Sequence, residues 1–275
     1  MSIKTSHIGR FAILVVVLAL AGPADVVHGA SSPLLAQAAT DEYLRAQKQV
    51  RDQSRRALAD FLRVWPDPSH CKLAFQLGRK QFVVALSRKA EQVGLRRGDL
   101  VKTVAGLPIA TNVERSQVHA ALSAAKPVEV VIERKGQASS ISLPCAPESE
   151  VWTATKRALE AATGGVWDEC QAAALDAVRA RGFTTSYPLY LRMRCASVQW
   201  VRQSNRDTDL RFPRATYEWQ RANIRESSYE PDGLDEIRTQ VLSSVTLLTR
   251  EGFTDYANAL EDELRLAPQR VAQEE

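Results

Sequence analysis

The spacing of hydrophobic and polar residues changes near residue 147. Before that point the apolar residues form short runs with the period of β-strands. Residues 72–77 alternate apolar and polar side chains, the segments 82–86, 100–104 and 128–133 are rich in Val and Leu, and 138–143 follows a turn at Lys135-Gly136. After that point the apolar residues recur at helical spacing. We therefore predict an α+β chain with a small sheet domain followed by an all-α domain.

Two short helical segments interrupt the predicted strands. Residues 90–94 form one turn that Gly94 closes, since glycine adopts a positive φ at little cost. Thr111 and Glu114 form a capping box, in which each side chain accepts a hydrogen bond from the other residue's backbone amide. Val118 and Leu122 then mark the buried face of a helix predicted over residues 113–125.

Helices with one apolar face are predicted in most of the remaining chain. The residues that share these faces are Trp167, Cys170, Ala174, Ala177 and Val178; Leu191, Cys195 and Val198; Tyr217, Gln220 and Ile224; Leu234, Ile237, Val241, Val245 and Leu248; and Tyr256, Leu260 and Leu264. Another helix is predicted over residues 41–65, ended by Pro66 and Pro68, and its packing partner is left open. The small, Ala-rich residues 31–40 are expected to be flexible.

The helical region contains two similar turns. Residues 181–184, Arg-Gly-Phe-Thr, and residues 251–254, Glu-Gly-Phe-Thr, each separate two helical stripes. In both, Gly can end one helix, Phe can fill the hairpin and Thr can cap the next helix. Two related helical hairpins are one interpretation, and chance recurrence of a favourable turn is the other.

The first thirty residues have the pattern of a signal peptide. Lys4, His7 and Arg10 precede an apolar run over residues 11–20, and small residues surround Ala30. The run is far shorter than the roughly 20 residues that a membrane-spanning helix needs. We expect cleavage near Ala30 and an exported protein, periplasmic or secreted, without a stable membrane span. An uncleaved anchor is the alternative.

The charge of the chain disfavours nucleic-acid binding. The full sequence has 36 basic and 32 acidic residues, and without residues 1–30 it keeps 34 and 31. No block of Lys and Arg forms the basic footprint that a nucleic-acid partner requires.

Export makes the four cysteines informative, because the destination is oxidising. Four cysteines allow three connectivities. Cys71 and Cys145 bracket the sheet region, whereas Cys170 and Cys195 lie in the helical region, so one disulfide within each domain is the simplest pairing. Four free thiols are the alternative. No close Cys or His pair has ligand spacing, and we expect no metal and no cofactor.

The order of the elements around residues 94–136 resembles a known family. The segments Gly94-Leu95-Arg96-Arg97-Gly98-Asp99, Val104-Ala105-Gly106 and Val131-Ile132-Glu133-Arg134-Lys135-Gly136 resemble those of the PDZ domain, in the form found in exported bacterial proteases and secretion factors. The resemblance implies a partly open β-barrel with one groove-forming helix. It also implies adjacent first and last strands, which would bring Cys71 near Cys145. The sequence departs from the family at Ala105, where Asn is usual, and in its unusually basic turn at residues 78–82.

The resemblance implies a groove that holds a peptide, since an extended peptide can add to an open strand edge. The groove is expected between the edge of residues 82–86, the turn 78–81 and the helix 113–125. Its expected binding residues are Gly78, Arg79, Lys80, Gln81, Phe82, Val83, Val84, Val118 and Leu122. Arg79 and Lys80 would attract the carboxylate of a peptide C-terminus. A purely structural groove, or one filled by the chain itself, is the alternative.

No catalytic constellation is recognisable in the sequence. A Ser-His-Asp site needs a histidine base, and the only histidines are His7, His28, His70 and His119. A Ser-Lys dyad needs a lysine near the nucleophile, and Lys156 is the only lysine after Lys135. His119, on the predicted groove helix, is more simply a solvated histidine than a ligand contact.

These patterns lead to one functional hypothesis and two alternatives. We expect an exported, non-enzymatic protein that binds peptides or protein C-termini, as an adaptor or regulator of envelope proteins. An accessory or degenerate subunit of an envelope protease is one alternative. Binding through the helical domain, with the PDZ-like part as scaffold, is the other. The expected organisation is a signal peptide at 1–30, a linker and helix at 31–69, a PDZ-like domain at 70–146 and a helical domain at 147–275.

Overall fold

The computed structural model describes residues 33–64, 71–78, 80–111, 114, 117–118, 121–122, 126–147, 149–202 and 208–274. The predicted signal peptide, Arg79 and His119 lie outside these residues. Every described strand lies between Cys71 and Pro147, and the part described after that point is helical. The prediction of an α+β chain, with sheets followed by helices, is confirmed.

The strands form small antiparallel sheets. They are β1 (Cys71–Lys72), β2 (Phe75–Leu77), β3 (Val83–Leu86), β4 (Leu100–Val104), β5 (Leu107–Pro108), β6 (Val128–Arg134), β7 (Gln137–Leu143) and β8 (Ala146–Pro147). Four of them follow the order β5-β4-β6-β7, while β2 pairs with β3 and β1 pairs with β8. The two-residue strands β1 and β8, at the two ends of the sheet region, are therefore neighbours, whereas the longer strand β7 pairs with β6.

Two tight hairpins shape the larger sheet. Lys135 and Gly136 have φ values of 51° and 79° between β6 and β7, and Ala105 and Gly106 have values of 52° and 76° between β4 and β5. Positive φ at both central residues fits the twist of the flanking strands. Asn tolerates this region better than other non-glycine residues. Ala105 therefore sits in an unfavourable backbone conformation.

A buried ion pair explains the acidic residue that follows Gly98. The side chain of Asp99 is 2% exposed, and it receives two bonds from the Arg134 guanidinium, at 2.6 and 2.7 Å. The Arg96 amide donates to the same carboxylate at 2.8 Å, and Arg134 also donates to the Gly94 carbonyl at 2.7 Å. The motif thus fastens the turn after residue 94 to the end of β6.

The described helices are α1 (Pro33–Val64), α2 (Arg88–Gln92), α3 (Ser149–Gly164), α4 (Trp167–Arg181), α5 (Ser186–Arg202), α6 (Arg211–Ser227), α7 (Gly233–Arg250) and α8 (Thr254–Glu274). The expectation of a flexible segment up to residue 40 is wrong for residues 33–40, which belong to α1. Alanine, which is frequent there, is the strongest helix former.

The sequence left open which elements the first helix packs against. In the structure α1 packs against α3 and α5. Arg51 of α1 donates to the carbonyl oxygens of Thr163 and Gly164 at 3.1 and 3.0 Å. A cationic side chain thereby satisfies the last carbonyls of α3. The helix before the sheet region therefore belongs structurally with the helices after it.

The helices enclose two apolar clusters that share α5. One cluster joins α1, α3, α4 and α5, and the other joins α5 to α8. The disulfide between Cys170 and Cys195 ties α4 to α5 inside the first cluster, as predicted. Cys145 is disulfide-bonded as well. The side chain of Cys71 lies outside the described residues, so its pairing with Cys145 stays a prediction.

The two similar turns of the helical region prove alike only in part. Gly182 and Gly252 have φ values of 76° and 84° at the ends of α4 and α7, as predicted. Phe253 is buried and α8 begins at Thr254, but Phe183 is only half-buried and α5 begins two residues later, at Ser186. Across the described residues, no helix is long and apolar enough to cross a membrane.

Candidate functional site

The helix expected to line the groove begins with the predicted capping box. The Glu114 amide donates to Thr111 Oγ1 at 3.2 Å, and the Thr111 amide donates to Glu114 Oε2 at 2.7 Å. Val118 and Leu122 are 1% and 4% exposed and belong to the core of the sheet region, together with Phe75. They hold the helix against the sheet and do not form an open surface.

The strand expected to offer its edge is bonded on one side to β2 and, at Val83, on the other side to residues 98–99. β3 pairs with β2 along one side. On the other side the Val83 amide donates to the Asp99 carbonyl at 2.9 Å, and the Gly98 amide donates to the Val83 carbonyl at 2.8 Å. Every side chain of β3 is buried, including Val83 and Val84. The sequence shows that 82–86 is a strand, but it does not show which neighbour covers it.

β2 has an available edge. Among the described strands, β2 pairs with β3 alone. The Ser87 amide donates to the Ala74 carbonyl at 2.7 Å, and antiparallel pairing alternates, so the backbone groups of Phe75 are directed away from β3. The Phe75 side chain is buried in the core, and Leu73 and Leu77 are partly buried beside it. This edge therefore presents the backbone donor and acceptor of Phe75 next to the partly buried side chains of Leu73 and Leu77.

The basic turn between β2 and β3 already holds a carboxylate. The backbone amide of Lys80 donates to Glu230 Oε1 at 2.9 Å, and a Cβ atom at Gly78 would lie 2.0 Å from the same oxygen. Glu230 lies in the turn between α6 and α7. The expected attraction of this turn for a carboxylate is thus directed at a side chain of the same protein.

The Lys80 side chain binds the same turn. Its Nζ atom lies 2.6 Å from the Pro231 carbonyl oxygen, 3.3 Å from Glu236 and 3.6 Å from Asp232. Desolvation lowers the pKa of Lys80, but hydrogen bonds and charge attraction from Glu236 and Asp232 raise it, and the net shift is upward. The unusual basicity of the turn at residue 80 therefore serves an intramolecular contact. Gln81, also expected to bind peptide, adopts a φ of 70° within this turn, and Phe82 forms a backbone bridge with Leu100.

A second carboxylate joins β2 to the helices. Glu226, at the end of α6, accepts from Gln76 Nε2 of β2 at 3.3 Å. It also accepts from the Ser186 amide and hydroxyl, at 2.5 and 2.7 Å, where α5 begins. A carboxylate at a helix start satisfies amides that lack intrahelical partners. The Arg97 guanidinium, 5.8 Å from the Tyr229 ring centre, adds a cation–π contact.

The environment of Glu226 changes its protonation. Burial raises its pKa to about 7, and the charge of Glu230 acts in the same direction, whereas the bonds from Ser186 and the charge of Arg181 lower it. Glu226 is thus a carboxyl group that titrates near neutrality between the two parts of the chain. We call the contacts of Glu226 and Glu230 with Gln76, Lys80 and Ser186 the interdomain joint.

The interdomain joint was not predicted, and no motif or spacing in the sequence indicates these contacts. Glu226 and Glu230 stand one helical turn apart, like many solvated glutamates, and their partners in the sheet region lie 150 positions earlier in the chain. No group of three or more metal-ligating side chains is placed to hold a metal ion in the part of the chain that the structure describes. No protein-family model, curated protein or solved structure matches the chain.

Proposed function

We propose that the sheet region is a PDZ-like module that binds an extended peptide along the outer edge of β2. The observation that carries the proposal is that β2 pairs with one strand only among those described and is flanked by partly buried leucines, whereas the side chains of the edge strand β7 are mostly exposed. A strand edge with unpaired backbone groups is a template for another strand. The protein would act without catalysis, as an adaptor or regulator of exported proteins.

We propose an antiparallel orientation for the peptide. Antiparallel pairing is slightly more stable per residue than parallel pairing. A peptide that runs antiparallel to β2 ends beside Leu73 and Ala74, where the chain passes from β1 to β2. The basic turn at residues 78–81 lies at the opposite end of β2 and is filled by Glu230. We therefore place the C-terminus of the peptide at Leu73 and Ala74.

Affinity and specificity would have different sources in this arrangement. Backbone pairing with β2 gives affinity that depends little on the peptide sequence, whereas side-chain pockets select particular residues. Leu73 and Leu77 flank the edge as partly buried apolar groups. We expect the bound peptide to present hydrophobic residues to them.

A display library of peptides with free C-termini, screened against the full mature chain, tests this proposal. Leu77→Lys places a charge at the β2 edge and should reduce capture of selected peptides at least tenfold. Ile141→Lys is the matched control, because Ile141 is also partly buried against the same core but lies on β7. If both variants remain folded and capture peptides equally well, β2 is not the binding site.

Export is part of the proposal as well. The disulfide between Cys170 and Cys195 is compatible with an oxidising destination, and the pattern of residues 1–30 is that of a signal peptide. N-terminal sequencing of the protein recovered outside the cytoplasm should find a start near Ala30 or Ser31. Recovery of an intact Met1 in a membrane fraction would contradict it.

A further inference from the structure

The four-stranded sheet ends in two unlike edges. β5, at one edge, has two residues and ends in Pro108, and both its shortness and the proline hinder pairing with another chain. β7, at the other edge, has seven residues and contains neither proline nor a charged side chain. It pairs with β6 through seven consecutive residue pairs without a bulge, and no described strand pairs with its outer side. β7 therefore lacks the features that protect an edge strand from pairing with another chain.

The side chains of β7 leave its outer side accessible. Ile141 is partly buried and Leu143 is buried, because both face the core of the sheet region. The remaining side chains are exposed, and they belong to Gln137, Ala138, Ser139, Ser140 and Ser142. A strand covered by another element would not keep five of its seven side chains exposed.

The turn before β7 determines which of its backbone groups face outward. Lys135 and Gly136 form a two-residue turn, and Arg134 pairs with Gln137 directly beside it. Residues that flank such a turn exchange hydrogen bonds, and bonded and non-bonded pairs then alternate along the two strands. The backbone N–H and C=O groups of residues 138, 140 and 142 are therefore directed away from β6, where another strand can reach them.

We propose that β7 pairs antiparallel with β7 of a second copy of the chain, about a twofold axis at Ser140, so that two four-stranded sheets join into one. In this register Ser140 lies opposite the same residue of the second copy, and Ala138 lies opposite Ser142. All three residues direct backbone groups outward, so each pair can exchange two hydrogen bonds. This register alone pairs all three of these residues. The dimer does not use the peptide site, because β2 belongs to a different sheet.

The composition of β7 favours a second copy as its partner. A twofold axis brings each surface against itself, so a charged side chain near the axis would face a like charge. No charged residue lies between Lys135 and Glu148. A strand that selected an acidic or a basic partner would carry the complementary charge, and β7 carries none. The register also makes the two Ile141 side chains diagonal neighbours across the axis, which adds apolar contact to the backbone pairing.

Sedimentation equilibrium of the full mature chain, over a wide range of concentration, measures the association. Two double variants that differ only at residue 138 test the register. Ala138→Lys with Ser142→Lys places like charges opposite each other across the axis, whereas Ala138→Glu with Ser142→Lys places opposite charges there. Both positions are exposed, so neither variant requires repacking of the core. Hydrogen exchange of single amides, followed by NMR of the natural protein at low and high concentration, locates the pairing without any substitution.

The proposal predicts a reversible dimer of the natural protein. The paired lysines should weaken it at least about tenfold, and the Glu–Lys combination should associate at least as tightly as the natural protein. The amides of Ala138, Ser140 and Ser142 should gain protection as the concentration rises, while the Ser139 amide, which bonds to β6, stays constant.

Three results would overturn the proposal. The first is a natural protein that stays monomeric up to millimolar concentration. The second is a dimer that the paired lysines leave intact, or one that the Glu–Lys combination weakens as much as the paired lysines do. The third is a dimer whose formation gives the outward amides of β7 no added protection, which would place the contact on another surface.

Discussion

Replacing Arg134 with Met should destabilise the sheet region by about 2–4 kcal/mol. The substitution removes two charge-assisted bonds from Asp99, whose side chain is 2% exposed, and leaves the Arg96 amide as a donor. Breaking a buried pair by removing one partner costs about 3–5 kcal/mol, because a charge stays buried without compensation. The Arg134 side chain is 34% exposed, so solvent screening lowers the expected value to about 2–4 kcal/mol.

Lys102→Met is a matched control on the same sheet. Lys102 lies 2.9 Å from Glu133, but the two side chains are 45% and 37% exposed. Exposed pairs contribute about 0–1 kcal/mol, so this variant should change stability little. The two substitutions remove the same charge and introduce the same side chain, and they differ in the burial of the acidic partner.

The assay must report on the sheet region itself. The described tryptophans, Trp152, Trp167, Trp200 and Trp219, all lie in the helical region, so tryptophan fluorescence is a poor probe of the strands. Hydrogen exchange of the slowest amides in β4 and β6 gives the opening free energy directly. If Arg134→Met and Lys102→Met differ by less than about 0.5 kcal/mol, well below the cost expected for a buried pair, the role assigned to Asp99 is wrong.

Three further predictions test other parts of the structure. Ala105→Asn should stabilise the sheet region by about 0.5–1 kcal/mol in the same exchange assay, since Asn adopts positive φ more readily than Ala. A loss of stability would contradict the turn conformation assigned to residue 105. Replacing Cys170 and Cys195 together with Ala should lower the unfolding free energy of the helical region by about 3 kcal/mol, because the disulfide closes a loop with a sequence separation of 25. Denaturation monitored by fluorescence measures this change, and an unchanged midpoint would contradict the prediction. Gly78→Ala should displace Glu230 and speed exchange of the Lys80 amide, because the added Cβ would lie 2.0 Å from Glu230 Oε1. Unchanged exchange would show that the turn accommodates the added methyl group.

The elements of the sheet region could be predicted because their signals are local. The capping box of Thr111 and Glu114, the turn of Lys135 and Gly136, and the strand at residues 100–104 each follow from neighbouring residues, and the structure has all three. The apolar stripes of the later helices were predictable for the same reason. The start of α1 was missed because small residues without apolar spacing were taken as a flexible segment.

The surroundings of the expected site residues could not be predicted, because they depend on contacts between distant residues. Whether β2 or β3 offers an open edge depends on residues 98–101, which bond to the start of β3. Which carboxylate the basic turn binds depends on Glu230, and no periodicity in the sequence links residue 80 to residue 230. Local pattern indicates which segments are strands, but pairing and burial between domains arise only from the tertiary fold.

The proposed function requires an extended peptide to pair with the outer edge of β2. The most direct measurement is an NMR comparison of the labelled full chain with and without a peptide selected from the free-C-terminus library. If the peptide pairs with β2, the backbone amides of Leu73, Phe75 and Leu77 should shift and gain protection from exchange, while amides of α7 and α8 stay unchanged. Changes confined to the helices from α3 to α8, with β2 unaffected, would refute pairing at β2 and assign binding to the helical region.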